Sequence, residues 1–121
     1  MKHYQPNRYL VSSSKMSVHV LHNLIFSNPD LIVYCKADGN YTQIHLSNRC
    51  LIDSKTLKQV QSLLPEDTFI RIHKSCLINI NYIIGFKGQN TIIIMPDIEL
   101  QIARRMRTQV LLKISRNLLS I

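Results

Sequence analysis

Acidic side chains are scarce in this chain of 121 residues. Seven Asp and Glu stand against fifteen Lys and Arg, a formal net charge of +8. An excess of that size attracts an anionic partner, and in a small basic domain it is the electrostatic footprint of nucleic-acid binding. Glycine and proline are sparse too, three and four residues, which excludes a collagen-like or linker-dominated chain. No apolar run approaches the ~18 residues of a membrane span. Met1-Lys2-His3-Tyr4-Gln5 leads into polar residues with no apolar stretch behind it, so no secretory signal is expected there. The three cysteines, Cys35, Cys50 and Cys76, are widely spaced and odd in number. They fit neither a disulfide framework nor a CxxC zinc site. Free buried thiols in a reducing cytoplasm are the simplest expectation, with no metal or other cofactor.

What is present suffices for one domain with its own core, since 45% of the residues are hydrophobic. Residues 1–17 carry Lys2, Arg8 and Lys15, no acid, and the triplet Ser12-Ser13-Ser14. They read as a loosely held arm. From Val18 the pattern is that of strands: Val18 to Leu21, then Leu24-Ile25-Phe26, a turn at Asn28-Pro29-Asp30, and a β-branched strand from Leu31 to Cys35. Ala37-Asp38-Gly39-Asn40 signals a hairpin. Beyond it Thr42, Ile44 and Leu46 alternate with Gln43, His45 and Ser47, a half-buried strand. A short helix follows, with Leu57, Val60 and Leu64 on one face, Lys55, Lys58 and Gln61 toward water, Asp53 or Ser54 as cap, and Pro65 as the stop. Strands resume at Phe69 to His73 and, by alternation, at Ile78 to Tyr82. Gly85 to Gly88 reads as a loop or turn, Thr91 to Met95 as a strand buried on both faces, and Ile98, Leu100 and Ile102 as another alternation. The end is helical, with Val110, Ile114 and Leu118 in line and Leu111 beside them. Without a βαβ rhythm, a mainly β, antiparallel fold is expected.

Three groups of residues could carry chemistry. Arg104, Arg105 and Arg107 lie where a strand gives way to a helix, in a tail that has no acid after Glu99. Arginines projecting from such a junction can neutralise phosphates, and one can bond guanine bidentately. Arg71-Ile72-His73-Lys74-Ser75 is a strand end. If Ile72 faces the core, Arg71 and His73 face outward, and Lys74 and Ser75 fall where the strand breaks. All four polar side chains are donors that reach phosphates and base edges. The third group is the tip Asp38-Gly39-Asn40-Tyr41; Asn can pair with adenine, although Asp-Gly and Asn are also ordinary turn residues. Catalytic and metal readings are weaker. His73 and Cys76, three apart on a strand, would point to opposite faces; Asp53, His73 and Ser75 make a triad only on paper; and His19-x-x-His22 supplies two ligands where a site needs more.

Taken in order, these features resemble the LytTR family, the LytR/AgrR-type DNA-binding domain of bacterial response regulators. Leu31 to Thr42 resembles its opening strand and Asn-Tyr turn. Ser54-Lys55-Thr56-Leu57 with Leu63-Leu64-Pro65 resembles its helix. Phe69-Ile70-Arg71-Ile72-His73-Lys74-Ser75-Cys76-Leu77-Ile78-Asn79 resembles its most specific motif, and Ile102-Ala103-Arg104-Arg105 its last strand-to-helix junction. The resemblance runs from about Val18 to Ile114 and divides the chain into an arm, 1–17, and a LytTR-like domain, 18–121. It implies an elongated, mostly antiparallel fold of about ten strands with one short internal helix and a C-terminal helix. It further implies that loop side chains enter successive major grooves of bent double-stranded DNA, with two copies on imperfect direct repeats about one helical turn apart. The family's base-contacting positions fall on Asn40, Lys74 and Arg105. Ser75, Arg104 and Arg107 would hold phosphates, beside Arg71 and His73 from the residue reading. Ala103 stands where serine is usual and removes a hydroxyl, and Cys76 stands where an aromatic is common. The family's receiver or membrane segment has no counterpart in the short arm, so the chain reads either as a stand-alone regulator or as a fragment of a response regulator.

The expected function is sequence-specific DNA binding by a cytoplasmic transcriptional regulator, not an enzyme. The alternative is a protein-interaction or self-association module that keeps the fold without reading DNA, since exposed sheet edges allow such pairing. Sequence-tolerant single-strand binding lacks the exposed aromatics that stacking needs.

Overall fold

The computed structural model of the protein describes residues 10–15, 23–25 and 27–119, with side chains for 23–25 and 27–117. Lys2, Arg8, Val18 to Leu21, His22 and Phe26 lie outside the described residues, as do the side chains of Lys15 and Leu118. The described residues form nine strands: β1 (Leu10–Lys15), β2 (Ile32–Asp38), β3 (Tyr41–Leu46), β4 (Cys50–Asp53), β5 (Phe69–His73), β6 (Cys76–Asn79), β7 (Ile83–Lys87), β8 (Thr91–Ile94) and β9 (Ile98–Gln101). Beside a helical turn at 23–25 there are two α-helices, α1 (Leu57–Leu63) and α2 (Arg107–Leu119), with short 3-10 turns at Pro29–Leu31, Ile80–Tyr82 and Arg104–Met106. One sheet has the order β1-β4-β3-β2-β6-β5, the other β7-β8-β9. Only the β1–β4 pair is parallel. The mainly β, largely antiparallel architecture with an internal and a terminal helix is the one the sequence implies. No helix among the described residues is long and apolar enough to cross a membrane.

The larger sheet is covered on both faces. Ile32, Cys35, Ile44, Leu51 and Leu77 pack under Leu57, Val60 and Leu64 of the α1 segment. Val33, Tyr34, Ile70, Ile72 and Ile78 pack on Ile92 and Ile94 of the smaller sheet and on Val110 and Ile114 of α2. This double cover explains the unbroken apolar run Ile32-Val33-Tyr34-Cys35, buried throughout. The pairing with β3 slips between Ile32 and Tyr34. Such a bulge lets Val33 and Tyr34 both face the second core.

Several local expectations are corrected. His45, expected on the open face of a half-buried strand, is 1% exposed. Its ring lies flat on Tyr34, centroids 4.2 Å apart, and Nε2 meets Gln43 Oε1 at 2.9 Å. Burial, aided by Lys36, pulls its pKa down to about 3, so the ring is neutral. Leu24 and Ile25 are helical rather than extended, because Asn28 N–H closes a helical turn onto the Leu24 carbonyl at 3.0 Å and both side chains pack against the α1-side core. The alternation from Ile78 to Tyr82 breaks after Asn79. That buried side chain accepts from Asn81 N–H at 2.8 Å and donates to the Ile32 carbonyl at 3.0 Å and to Asp30 at 2.9 Å. It thereby caps a 3-10 turn. Gly85 to Lys87 is strand, and the turn begins at Gly88, which has φ +64. In β8 only Ile92 and Ile94 are buried, and Met95 is 49% exposed, since the smaller sheet is covered on one face. The cap of α1 is Thr56, in a reciprocal capping box with Gln59. Asp53 instead accepts from Lys55 N–H at 2.8 Å.

Candidate nucleic-acid interface

Three loops carry the residues singled out by sequence. Gly39 and Asn40 form the tip between β2 and β3, and Gly39 takes φ +62, which only glycine adopts without penalty. Lys74 and Ser75 turn the chain from β5 into β6. Arg104 and Arg105 occupy the 3-10 turn that leads into α2, after Ala103 in extended geometry.

The topology gathers these loops at one end of the larger sheet. β2 and β6 are antiparallel neighbours with Lys36 opposite Cys76, so the end of β2 meets the start of β6. Ala37 N–H donates to the Ser75 carbonyl at 2.9 Å and ties the first loop to the second. Ala103 N–H donates to the Ile72 carbonyl at 2.8 Å and ties the third loop to β5, while Ile102 N–H donates to the Asn90 carbonyl at 2.7 Å. Across the sheet the order is the Asn40 tip, the Lys74 turn, then the Arg104-Arg105 turn. Ile102, 3% exposed, anchors the last of these in the core.

The polar side chains at this end differ in how they are engaged. Asn40, Lys74, Arg104 and Arg105 are exposed, and none makes a side-chain hydrogen bond or ion pair with another described residue. Lys87 and Lys55, by contrast, pair with Glu99 at 3.3 Å and Asp53 at 3.8 Å. Lys74, Arg104 and Arg105 are therefore unpaired among the described residues and outnumber Asp38 at the loop end, where a polyanion would meet them. His73 Nδ1 accepts from Ser75 N–H at 3.2 Å and meets Ser75 Oγ at 3.0 Å. In a neutral ring this leaves the proton on Nε2. Arg107 Nε donates to the Gln89 carbonyl at 2.7 Å. Arg71 is the most committed: Nε donates to the His73 carbonyl at 3.1 Å, Nη2 to the Lys74 carbonyl at 2.7 Å, and Nη1 to Gln61 Oε1 at 2.8 Å. Gln61, expected to face water, is half-buried by this contact. Nothing in its helical spacing marks it, because the partner lies on β5.

The catalytic arrangements that the sequence raises are not assembled among the described residues. Asp53 lies on β4, separated from β5 by three strands, so it cannot complete a triad with His73 and Ser75. His73 and Cys76, expected on opposite faces, are paired across the β5–β6 turn, but burial pushes the Cys76 thiol up to about 12, so it keeps its proton. Cys35 and Cys50 are likewise buried free thiols, with Cys50 pushed up to about 11, chiefly by burial. Among the described residues no three His, Cys, Asp or Glu side chains gather as metal ligands; His19 and His22 lie outside them.

Comparison with known proteins identifies the family and the fold. Residues 22–115 match the family model for the LytTr DNA-binding domain. A solved LytTr DNA-binding domain from Bacillus cereus superposes with a TM-score of 0.62 over 71% of this chain and 82% of its own, at 19% sequence identity. No curated protein matches the chain in sequence. With the family model spanning most of its length, the chain belongs to the LytTR family of DNA-binding domains.

Proposed function

We propose that this domain serves a bacterial transcriptional regulator by binding one preferred double-stranded DNA sequence through its loop end, with side chains in the major groove. The observation that carries the reading is the fastening of three loops to one sheet end by the Ala37–Ser75 and Ala103–Ile72 hydrogen bonds. Asn40, Lys74 and Arg105 are the base readers. Their exposure and lack of side-chain partners among the described residues support that role, because a side chain that reads bases must be free to bond them. Ser75, His73, Arg104 and Arg107 hold phosphates and fix the register. Two copies bind imperfect direct repeats about one helical turn apart, as a homodimer on DNA, which follows the family expectation. A DNA partner puts the protein in the bacterial cytoplasm. The scattered acids and protonated thiols support a binding role over a catalytic one.

Selection from a random duplex pool, followed by gel shifts at two salt concentrations, tests the reading. An enriched duplex should bind at least a thousandfold more tightly than random DNA of equal length, roughly the lower bound for specific binders. Equal affinity for both would overturn it. One observation favours a second reading, a protein-interaction or self-association module: β7 is an edge strand of the smaller sheet and exposes Ile84 and Phe86. A stable stoichiometric protein complex without DNA selectivity would favour that alternative.

A further inference from the structure

We infer that Arg71 and Gln61 are positioning residues that aim Lys74 at its base, rather than ligands of DNA; the inference rests on the reading of Lys74 given above. Arg71 spends a donor on each of two successive carbonyls of the β5–β6 turn, His73 and Lys74, and a third on Gln61 of α1. Those carbonyls flank the Lys74 backbone. On the other side of the turn His73 Nδ1 accepts from Ser75 N–H, and the Ser75 carbonyl accepts from Ala37 N–H. The main chain around Lys74 is thus held from both sides, while its side chain bonds no other described residue. The β5–β6 register slips between Arg71 and His73, so ladder bonds alone do not fix this turn.

A planar guanidinium with its fork of donors can bridge two carbonyls and an amide oxygen at once, which a lysine ammonium at the same place cannot match in geometry. Gln61 closes the arrangement from a seven-residue helix that is itself locked by its Thr56–Gln59 capping box. Burial disfavours the charged form of Arg71. A guanidinium half-withdrawn from water, with three of its five donors already spent inside the protein, has only two left for a phosphate.

The two roles give different salt dependences. A phosphate ligand contributes about 0.9 to the slope of log affinity against log salt, whereas a positioning residue contributes nothing to it. The experiment uses the full chain and a duplex enriched by selection, with a scrambled duplex as control. Gln61→Ala and Arg71→Lys should each lower the selected-over-scrambled affinity ratio by about tenfold, the scale of one misplaced base contact. The salt slope on scrambled DNA should stay at its wild-type value. Gln61→Glu, which keeps an acceptor for Arg71, should restore most of the ratio. In a Lys74→Ala background Gln61→Ala should have no further effect on the ratio, because it acts through Lys74. Should Arg71→Lys disturb folding, Gln61→Ala still decides the matter, since it only trims a helix side chain to a good helix former. The inference is overturned if Gln61→Ala leaves the ratio unchanged, or if its effect persists in full without Lys74. It is equally overturned if Arg71→Gln lowers the slope by about 0.9 and preserves the ratio. Failure of the wild type to enrich any duplex would instead sink the DNA-reading assignment itself.

Discussion

Ala103 N–H donates to the Ile72 carbonyl across 2.8 Å, joining the loop that opens α2 to the strand that ends in the Lys74 turn. One main-chain hydrogen bond therefore sets how far Arg105 stands from Lys74. Ala103 has φ −62, a value proline also adopts, and its side chain is only half-buried. Ala103→Pro should therefore fit the local backbone while deleting the donor. The Ile72 carbonyl would lose its partner, and stability should fall by about 1–3 kcal/mol. Selectivity for the preferred duplex should fall as well, because the two loops are no longer fixed to each other. Urea unfolding beside a gel shift checks both effects; unchanged selectivity in a folded variant would show that the two loops act independently.

Arg104 and Arg107 separate charge from architecture. The Arg104 side chain bonds no other described residue, whereas Arg107 holds the Gln89 carbonyl of the β7–β8 turn. Arg104→Ala should weaken binding to selected and random duplexes alike and lower the salt slope by about 0.9, the share of one phosphate. Thermal stability should be unaffected. Arg107→Ala should lower the slope similarly and also cost about 1 kcal/mol of stability through the lost hydrogen bond. Titrations at four salt concentrations, with melting curves, distinguish the two.

His45 makes stability depend on acid. Its folded pKa of about 3 lies below the value near 6.5 of an exposed histidine. Between those limits the unfolded chain binds the extra proton, so its contribution to stability is complete above about pH 6.5 and is lost as pH falls toward 3. The slope attributable to this residue approaches about 1.4 kcal/mol per pH unit. Urea midpoints at pH 7, 5.5 and 4.5 should fall in the wild type. In His45→Gln they should fall less steeply. Parallel curves for the two proteins would show that His45 is not the group responsible.

Much of this arrangement was legible in the sequence, for identifiable reasons. The tip at Gly39-Asn40 is encoded locally, by Asp-Gly chemistry between two alternating runs, and so is the α1 stripe of Leu57 and Val60. Arg104 and Arg105 stood out because no acid follows Glu99. What stayed hidden depends on partners far along the chain. Asn79 looks like one more polar position in an alternation, yet its buried amide binds Asp30 and the Ile32 carbonyl, forty-seven residues away in the latter case, and ends the strand. His45 looks solvent-facing until Tyr34 is set opposite it by the β2–β3 register. Gln61 reads as a surface residue because its Arg71 partner is on another element. Periodicity reports which face a residue takes, and these roles depend instead on what the other elements bring to that face.

The most direct test of the central claim compares base preference, position by position, for the wild type and for Asn40→Ala, Lys74→Ala and Arg105→Ala, using selection from one random duplex pool. Each single variant should cost about 1–3 kcal/mol on the wild-type site and relax preference at its own position only. Affinity for random DNA should change little in Asn40→Ala, and in the other two only by the loss of one charge. If Arg105→Ala, Lys74→Ala and Asn40→Ala all keep the wild-type site and its affinity, the loop end of this sheet does not read DNA.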